Sequence, residues 1–198
     1  MKKLICFGDS ITFGLGVRLH QKWTHLASGR SGWQVVNQGV NGDTTGGMLV
    51  RLQTLLADPA LRNATAEHPS VLLLGGSNDI FYSGSDVCAR ANMGAMIHQL
   101  QSAGIQPVVG IPLPFDPVNA PTRWAGVVDY AGSAALLEAY CRWLRDFCAA
   151  FSVQTVDFRA DFLTPDGQVR RALFLDGMHP NADGHSIMAE RLCKEILI

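Results

Sequence analysis

Short apolar runs alternate along the chain with longer stretches in which apolar residues recur every three or four positions. The runs are Leu4 to Phe7, Val35-Val36 within Trp33 to Gly39, Val71 to Leu74, Ile105 to Ile111 and Val153 to Phe158. All are of strand length, and two stop at turn residues, Gly75-Gly76 and Pro112. Continuous apolar runs of this kind suit strands buried on both faces. Between them, Thr44 to Ala57 spaces Met48, Leu49, Leu52, Leu55 and Leu56 as one face of a helix. Asp86 to Ala103, Ser133 to Phe151 and Asn181 to Ile198 show the same spacing. Gly14 to Ser31 is expected to hold another helix, with weaker periodicity. Alternation of strand and helix predicts an α/β domain with a parallel sheet. Five strands suit the flavodoxin-like order 2-1-3-4-5. No internal repeat, linker or low-complexity tract interrupts the pattern, so the 198 residues are expected to form a single domain, 1–198.

Composition narrows the function classes. Apolar residues make up 47% of the chain and charged ones 17%, which fits a globular protein. A formal net charge of −1 gives no electrostatic case for nucleic acid or a membrane surface as partner. Lys2 and Lys3 precede an apolar run too short for a signal peptide, and no cleavage site follows. No stretch approaches the roughly 20 apolar residues that span a bilayer, so no integral membrane segment is expected. The five cysteines, Cys6, Cys88, Cys141, Cys148 and Cys193, include no CxxC pair. They read as buried free thiols in a reducing compartment, hence a cytoplasmic protein. The six histidines form no cluster.

Four polar motifs punctuate this frame: Phe7-Gly8-Asp9-Ser10, Asn41-Gly42-Asp43-Thr44-Thr45, Gly75-Gly76-Ser77-Asn78-Asp79 and Asp176-Gly177-Met178-His179-Pro180. In the order 2-1-3-4-5, strands 2 and 3 flank strand 1, so Ser10, Gly42 and Asn78 meet at the carboxyl edge. The last helix packs near the first strand, which lets the loop with Asp176 and His179 reach the same edge. A serine hydroxyl needs a base to become a nucleophile, and an imidazole titrates near pH 6.5, where it can take and return a proton. His179 is the candidate base for Ser10. Asp176, three residues earlier on an Asp-Gly turn, can accept from the imidazole N–H and fix its tautomer. The Ser10 and Gly42 backbone N–H groups and the Asn78 amide are candidate donors to an oxyanion.

These blocks resemble those of the SGNH/GDSL-type serine hydrolases, a family of esterases and lipases. Gly8-Asp9-Ser10-Ile11 is similar to the first block, Gly39 to Thr45 to the second, Gly76-Ser77-Asn78-Asp79 to the third and Asp176 to His179 to the last. All four occur in order across the whole chain. The resemblance implies a three-layer α/β/α fold and hydrolysis of carboxylic esters or thioesters through an acyl-serine. It implies no metal and no organic cofactor, and a small-molecule ester as partner. No Gly-x-Ser-x-Gly elbow surrounds Ser10, so an ordinary α/β-hydrolase is excluded. The family handles acyl-thioesters, lysophospholipids, aryl esters and acetylated sugars, and the sequence does not choose among them. A carbohydrate O-deacetylase of the same fold and a non-catalytic flavodoxin-like ligand-binding module remain alternatives. No Gly-x-x-x-x-Gly-Lys-[Ser/Thr] loop is present for a nucleotide phosphate.

Each motif also has a structural reading. Ser10 could cap the first helix, Asp9 and Asp79 could brace their turns, and Asp43 to Thr45 could cap the second helix. Pro180 suits the first turn of a helix. His20, His25, His68, His98 and His185 read as surface or packing residues. Pro112 to Trp124 has four prolines and is too long for an ordinary strand–helix connection. Phe81, Tyr82, Leu113, Phe115 and Trp124 follow strands 3 and 4 on the catalytic edge. They either line an acyl pocket or pack the loop onto the domain.

Overall fold

The computed structural model describes residues 2–58, 61, 69–122 and 125–197. Five parallel strands form one sheet in the order β2-β1-β3-β4-β5: β1 (Lys3–Gly8), β2 (Gln34–Gly39), β3 (Ser70–Leu74), β4 (Gln106–Ile111) and β5 (Gln154–Asp157). Gly8 at the end of β1 pairs with Gly39 of β2 and Leu74 of β3, so three of the motifs leave the sheet side by side. Main-chain ladders buried between two layers need side chains apolar on both faces, and β1, β3 and β4 have them. The edge strands β2 and β5 are only partly buried, because each lacks a neighbour on one side.

Alternate residues of each central strand feed opposite layers. Ile5, Phe7, Val71 and Leu73 pack against α3 (Thr45–Ala57), α5 (Val87–Ser102) and α6 (Tyr130–Ala150), through Met48, Leu52, Met93, Ile97 and Leu144. Leu4, Cys6, Leu72 and Leu74 pack against α2 (Trp23–Ser31) and α7 (Ala182–Glu195), through Trp23, Ala27, Met188 and Leu192. The result is three layers, α/β/α.

The stretch Gly14 to Ser31 holds the expected helix, α2, after a 3-10 turn (Leu19–Gln21), and a one-turn α1 (Ser10–Phe13) lies before it. Gly14 ends α1 in the left-handed conformation, which stops the helix before it can propagate. A helix that the periodicity did not predict, α4 (Ser77–Ser83), directly follows β3. The last helix begins one residue later than expected: Asn181 caps it by accepting from the Gly184 N–H at 3.0 Å, and Pro180 lies before the cap. Cys6, Cys141 and Cys148 are buried as expected. Cys193 is half-buried, and Cys88 departs from that reading by lying exposed on α5.

His185 is fully buried between α7 and α2, where its Nδ1 accepts from the Trp23 N–H at 3.3 Å. Burial, followed by the Lys22 and His179 charges, pushes it down to about 4. It is a packing residue that joins two helices of one layer. His68 lies outside the described residues. No described helix is long and apolar enough to cross a membrane.

Candidate active site

The site is built from strand ends. Asp9 leaves β1 and caps α1, its Oδ1 accepting from the Ile11 N–H at 2.8 Å. The cap is therefore Asp9, and Ser10 is the first helical residue. That position leaves the Ser10 N–H without an intrahelical acceptor. The Ser10 Oγ lies 3.0 Å from His179 Nε2, and His179 Nδ1 lies 2.9 Å from Asp176 Oδ2. The other Asp176 oxygen accepts from the backbone N–H groups of His179 at 2.8 Å and Met178 at 3.1 Å.

These contacts fix the proton positions. An ionised carboxylate only accepts, so His179 Nδ1 carries the hydrogen. Nε2 then presents its lone pair to the Ser10 hydroxyl. Burial pushes the Asp176 carboxyl up, but the His179 ring bond, the His179 backbone bond and the Met178 bond outweigh it and hold it at about 2. Such a relay can draw a proton off a hydroxyl and return it to a leaving group.

The second and third motifs interlock beside it. Gly42 has φ of +73°, in the left-handed region that favours glycine, and an added Cβ would meet only the Tyr82 hydroxyl, at 3.6 Å. Backbone conformation and not volume demands glycine there. The Asn78 amide donates to the Asp43 carbonyl at 2.8 Å, which leaves its second N–H for the site. Asp79, buried, accepts from the Thr45 N–H at 2.8 Å and the Thr45 hydroxyl at 2.6 Å. Thr44 caps α3 by accepting from the Gly47 N–H at 3.3 Å. Asp43 takes no part in that cap. Its carboxylate pairs with Arg51 at 2.6 Å, and Arg51 also donates to the Gly8 carbonyl at 3.2 Å.

Asp9 is buried, and burial pushes its carboxyl up to about 6, against the Ile11 bond and the His179 charge. The Pro112 loop grips the last motif from behind. Asp116 donates its N–H to the Gly177 carbonyl at 2.8 Å, and its buried carboxylate pairs with Arg171 at 2.8 Å. Among the described residues, no group of three or more His, Cys, Asp or Glu could hold a metal ion.

Ser10, Asn78, Phe81 and His179 all border the space in front of the hydroxyl. Leu113 and Phe115 line one side of it, and Gly42 and Tyr82 the other. Phe81, Leu113 and Phe115 both pack and line: each is under a tenth exposed. Trp124 lies outside the described residues. Sequence reasoning missed Leu15, Val128, Tyr130, Leu137 and Met178 as lining residues. Met178 sits inside the last motif. The other four have ordinary helix or loop surroundings that give no signal.

The geometry has relatives. A model of the GDSL-like Lipase/Acylhydrolase family matches residues 6–187. Esterase TesA of Pseudomonas aeruginosa is 28% identical over 184 residues, which cover 89% of this chain and 79% of that protein. A member of the lipolytic protein G-D-S-L family from Veillonella parvula superposes with a TM-score of 0.82 at 21% identity, covering 99% of this chain and 98% of that one. Est24, a carbohydrate acetylesterase from Sinorhizobium meliloti, superposes with a TM-score of 0.79 at 18% identity, again over 99% and 98%. At those identities the two structures speak for the fold alone. The family match runs from β1 into α7 and includes all four polar motifs, so the chain belongs to the GDSL-like lipase/acylhydrolase family.

Proposed function

We propose that the chain hydrolyses carboxylic esters or thioesters of short acyl groups through an acyl-serine intermediate. Ser10 Oγ attacks the acyl carbon while its proton passes to His179 Nε2. Asp176 holds the imidazole in the tautomer that can accept it and faces the positive charge that forms. The Ser10 and Gly42 N–H groups and the Asn78 amide donate to the oxyanion. The imidazolium then protonates the leaving oxygen or sulfur. Water repeats the sequence on the acyl-serine, giving the free acid and restoring Ser10. The observation that carries this reading is the unbroken relay from Ser10 to His179 at 3.0 Å and from His179 to Asp176 at 2.9 Å.

No metal or organic cofactor enters these steps. Five free thiols suit a cytoplasmic setting, and the substrate is a small-molecule ester. Acetylated sugars form a second reading, favoured by the small cavity beside Ser10. The test is Ser10→Ala on p-nitrophenyl acetate. Turnover should fall to background while the circular dichroism spectrum stays that of wild type. Full activity in the variant would remove Ser10 from the mechanism.

A further inference from the structure

Two cavities of unequal size meet at Ser10. One is a crevice of about 40 Å³ that runs inward to Leu74, Leu113, Phe115 and Leu137. These four walls are 2%, 6%, 5% and 2% exposed, so the crevice ends in packed core. The other is a chamber of about 200 Å³ lined by Leu15, Tyr82, Val128 and Tyr130. Tyr82 is 59% exposed, so this side opens to solvent. Phe81 borders both. Its ring stands edge-on to Phe115 of the crevice at 4.9 Å and to Tyr130 of the chamber at 6.5 Å. Phe81 and Met178 are the two apolar side chains that border both cavities. The helix α4 sets this arrangement: Asn78, Phe81 and Tyr82 are three and four residues apart and so share one face.

We propose that Phe81 separates an acyl seat from an alcohol seat, and that the enzyme selects short-acyl esters of larger, ring-bearing alcohols. This rests on the acyl-serine reading above. The sidedness follows from the order of events. The acyl group stays bonded to Ser10 while the alcohol leaves and water enters, so the smaller, core-walled crevice suits what stays and the larger, partly exposed chamber what departs. His179 borders both cavities, where its proton can reach the departing oxygen. The crevice cannot lengthen, because Leu137 of α6 and Leu74 of β3 are fixed by the core. Tyr82, Tyr130, Leu15 and Val128 offer flat and branched apolar surface to a ring.

The experiment is a set of p-nitrophenyl esters from acetate to octanoate, run beside ethyl acetate and cyclohexylmethyl acetate. In wild type, kcat/KM should fall at least tenfold from butyrate to octanoate, and cyclohexylmethyl acetate should exceed ethyl acetate. Phe81→Ala merges the cavities and should raise the octanoate-to-acetate ratio at least tenfold, at about fourfold per methylene accommodated. Leu137→Ala deepens the crevice from its far wall and should shift the ratio the same way, independently of whether the Phe81 variant folds. Tyr82→Ala should narrow the preference for the ring-bearing acetate. A wild type that takes octanoate as well as acetate overturns the partition. So do folded Phe81 and Leu137 variants with unchanged ratios. If an organophosphonate also fails to label Ser10 of wild type, the acyl-serine reading falls with it; labelled Ser10 with unchanged ratios removes the partition alone.

Discussion

The Asn78 side-chain amide donates to the Asp43 carbonyl at 2.8 Å and thereby ties the third motif to the second. One bond thus sets the position of two proposed oxyanion donors, the Asn78 amide and the neighbouring Gly42 N–H. Asn78→Ala should lower kcat by roughly 10²–10³ with little change in KM, since a donor aimed at developing charge acts mainly in the transition state. Steady-state kinetics on p-nitrophenyl acetate checks this. An effect confined to KM would make Asn78 a ground-state binding residue.

Asp176→Asn tests the tautomer. An amide can donate to His179 Nδ1, which would place the hydrogen on Nε2, facing the Ser10 hydroxyl. The expected loss is roughly 10³–10⁴ in kcat. In wild type the Asp176 carboxyl, held at about 2, stays ionised at all higher pH. The same carboxylate stabilises the fold above its unfolded value, and that contribution is lost as pH falls from about 4 towards 2. Thermal melts of wild type and the Asn variant should therefore converge in that window.

Asp9 behaves in the opposite sense. Its carboxyl is pushed up to about 6 by burial, so the folded state holds that proton more tightly than the unfolded chain does. Stability from this group is complete below about pH 4 and is lost as pH rises through 6. The magnitude is roughly 3 kcal/mol. Asp9→Asn keeps an oxygen for the Ile11 N–H and should raise the melting temperature at pH 8 but not at pH 4.

Tyr140 supports the third motif from α6. It is fully buried, and its hydroxyl donates to the Gly75 carbonyl at 3.2 Å. Gly76 has φ of +109°, and a Cβ there would lie 2.5 Å from the Tyr140 ring. Tyr140→Phe should cost about 1–3 kcal/mol by leaving the Gly75 carbonyl unpaired. Gly76→Ala should cost more, about 3 kcal/mol or above, because strain and overlap add. Urea denaturation of the two variants gives both numbers.

These relationships mark where sequence was readable. β1, β3 and β4 were legible because both faces are buried along all but the first residue of β1 and β4. The four motifs were legible because each keeps its chemistry within five residues. The helix α4 was not, since seven residues make barely two turns and Ser77-Asn78-Asp79 reads as a turn. The Gly14 to Ser31 stretch gave a weak pattern for a physical reason: only Trp23, Thr24 and Ala27 of α2 are buried. Contacts between distant positions left no local trace, as with Tyr140 against Gly76, Asp79 on Thr45 and Asp116 on Gly177. The placement of Phe81 was half legible. Its place after strand 3 put it at the edge, but its packing on Phe115 and Tyr130 depends on a loop and a helix some thirty to fifty residues away.

In the proposed mechanism Ser10 Oγ is the atom that carries the acyl group. Its most direct test is peptide mapping by mass spectrometry after treatment with a fluorophosphonate. One adduct is expected, on the peptide containing Ser10, formed in wild type and strongly slowed in His179→Ala, where no base takes the hydroxyl proton. An adduct on any other residue, or none on a folded enzyme that still turns over esters, would contradict it.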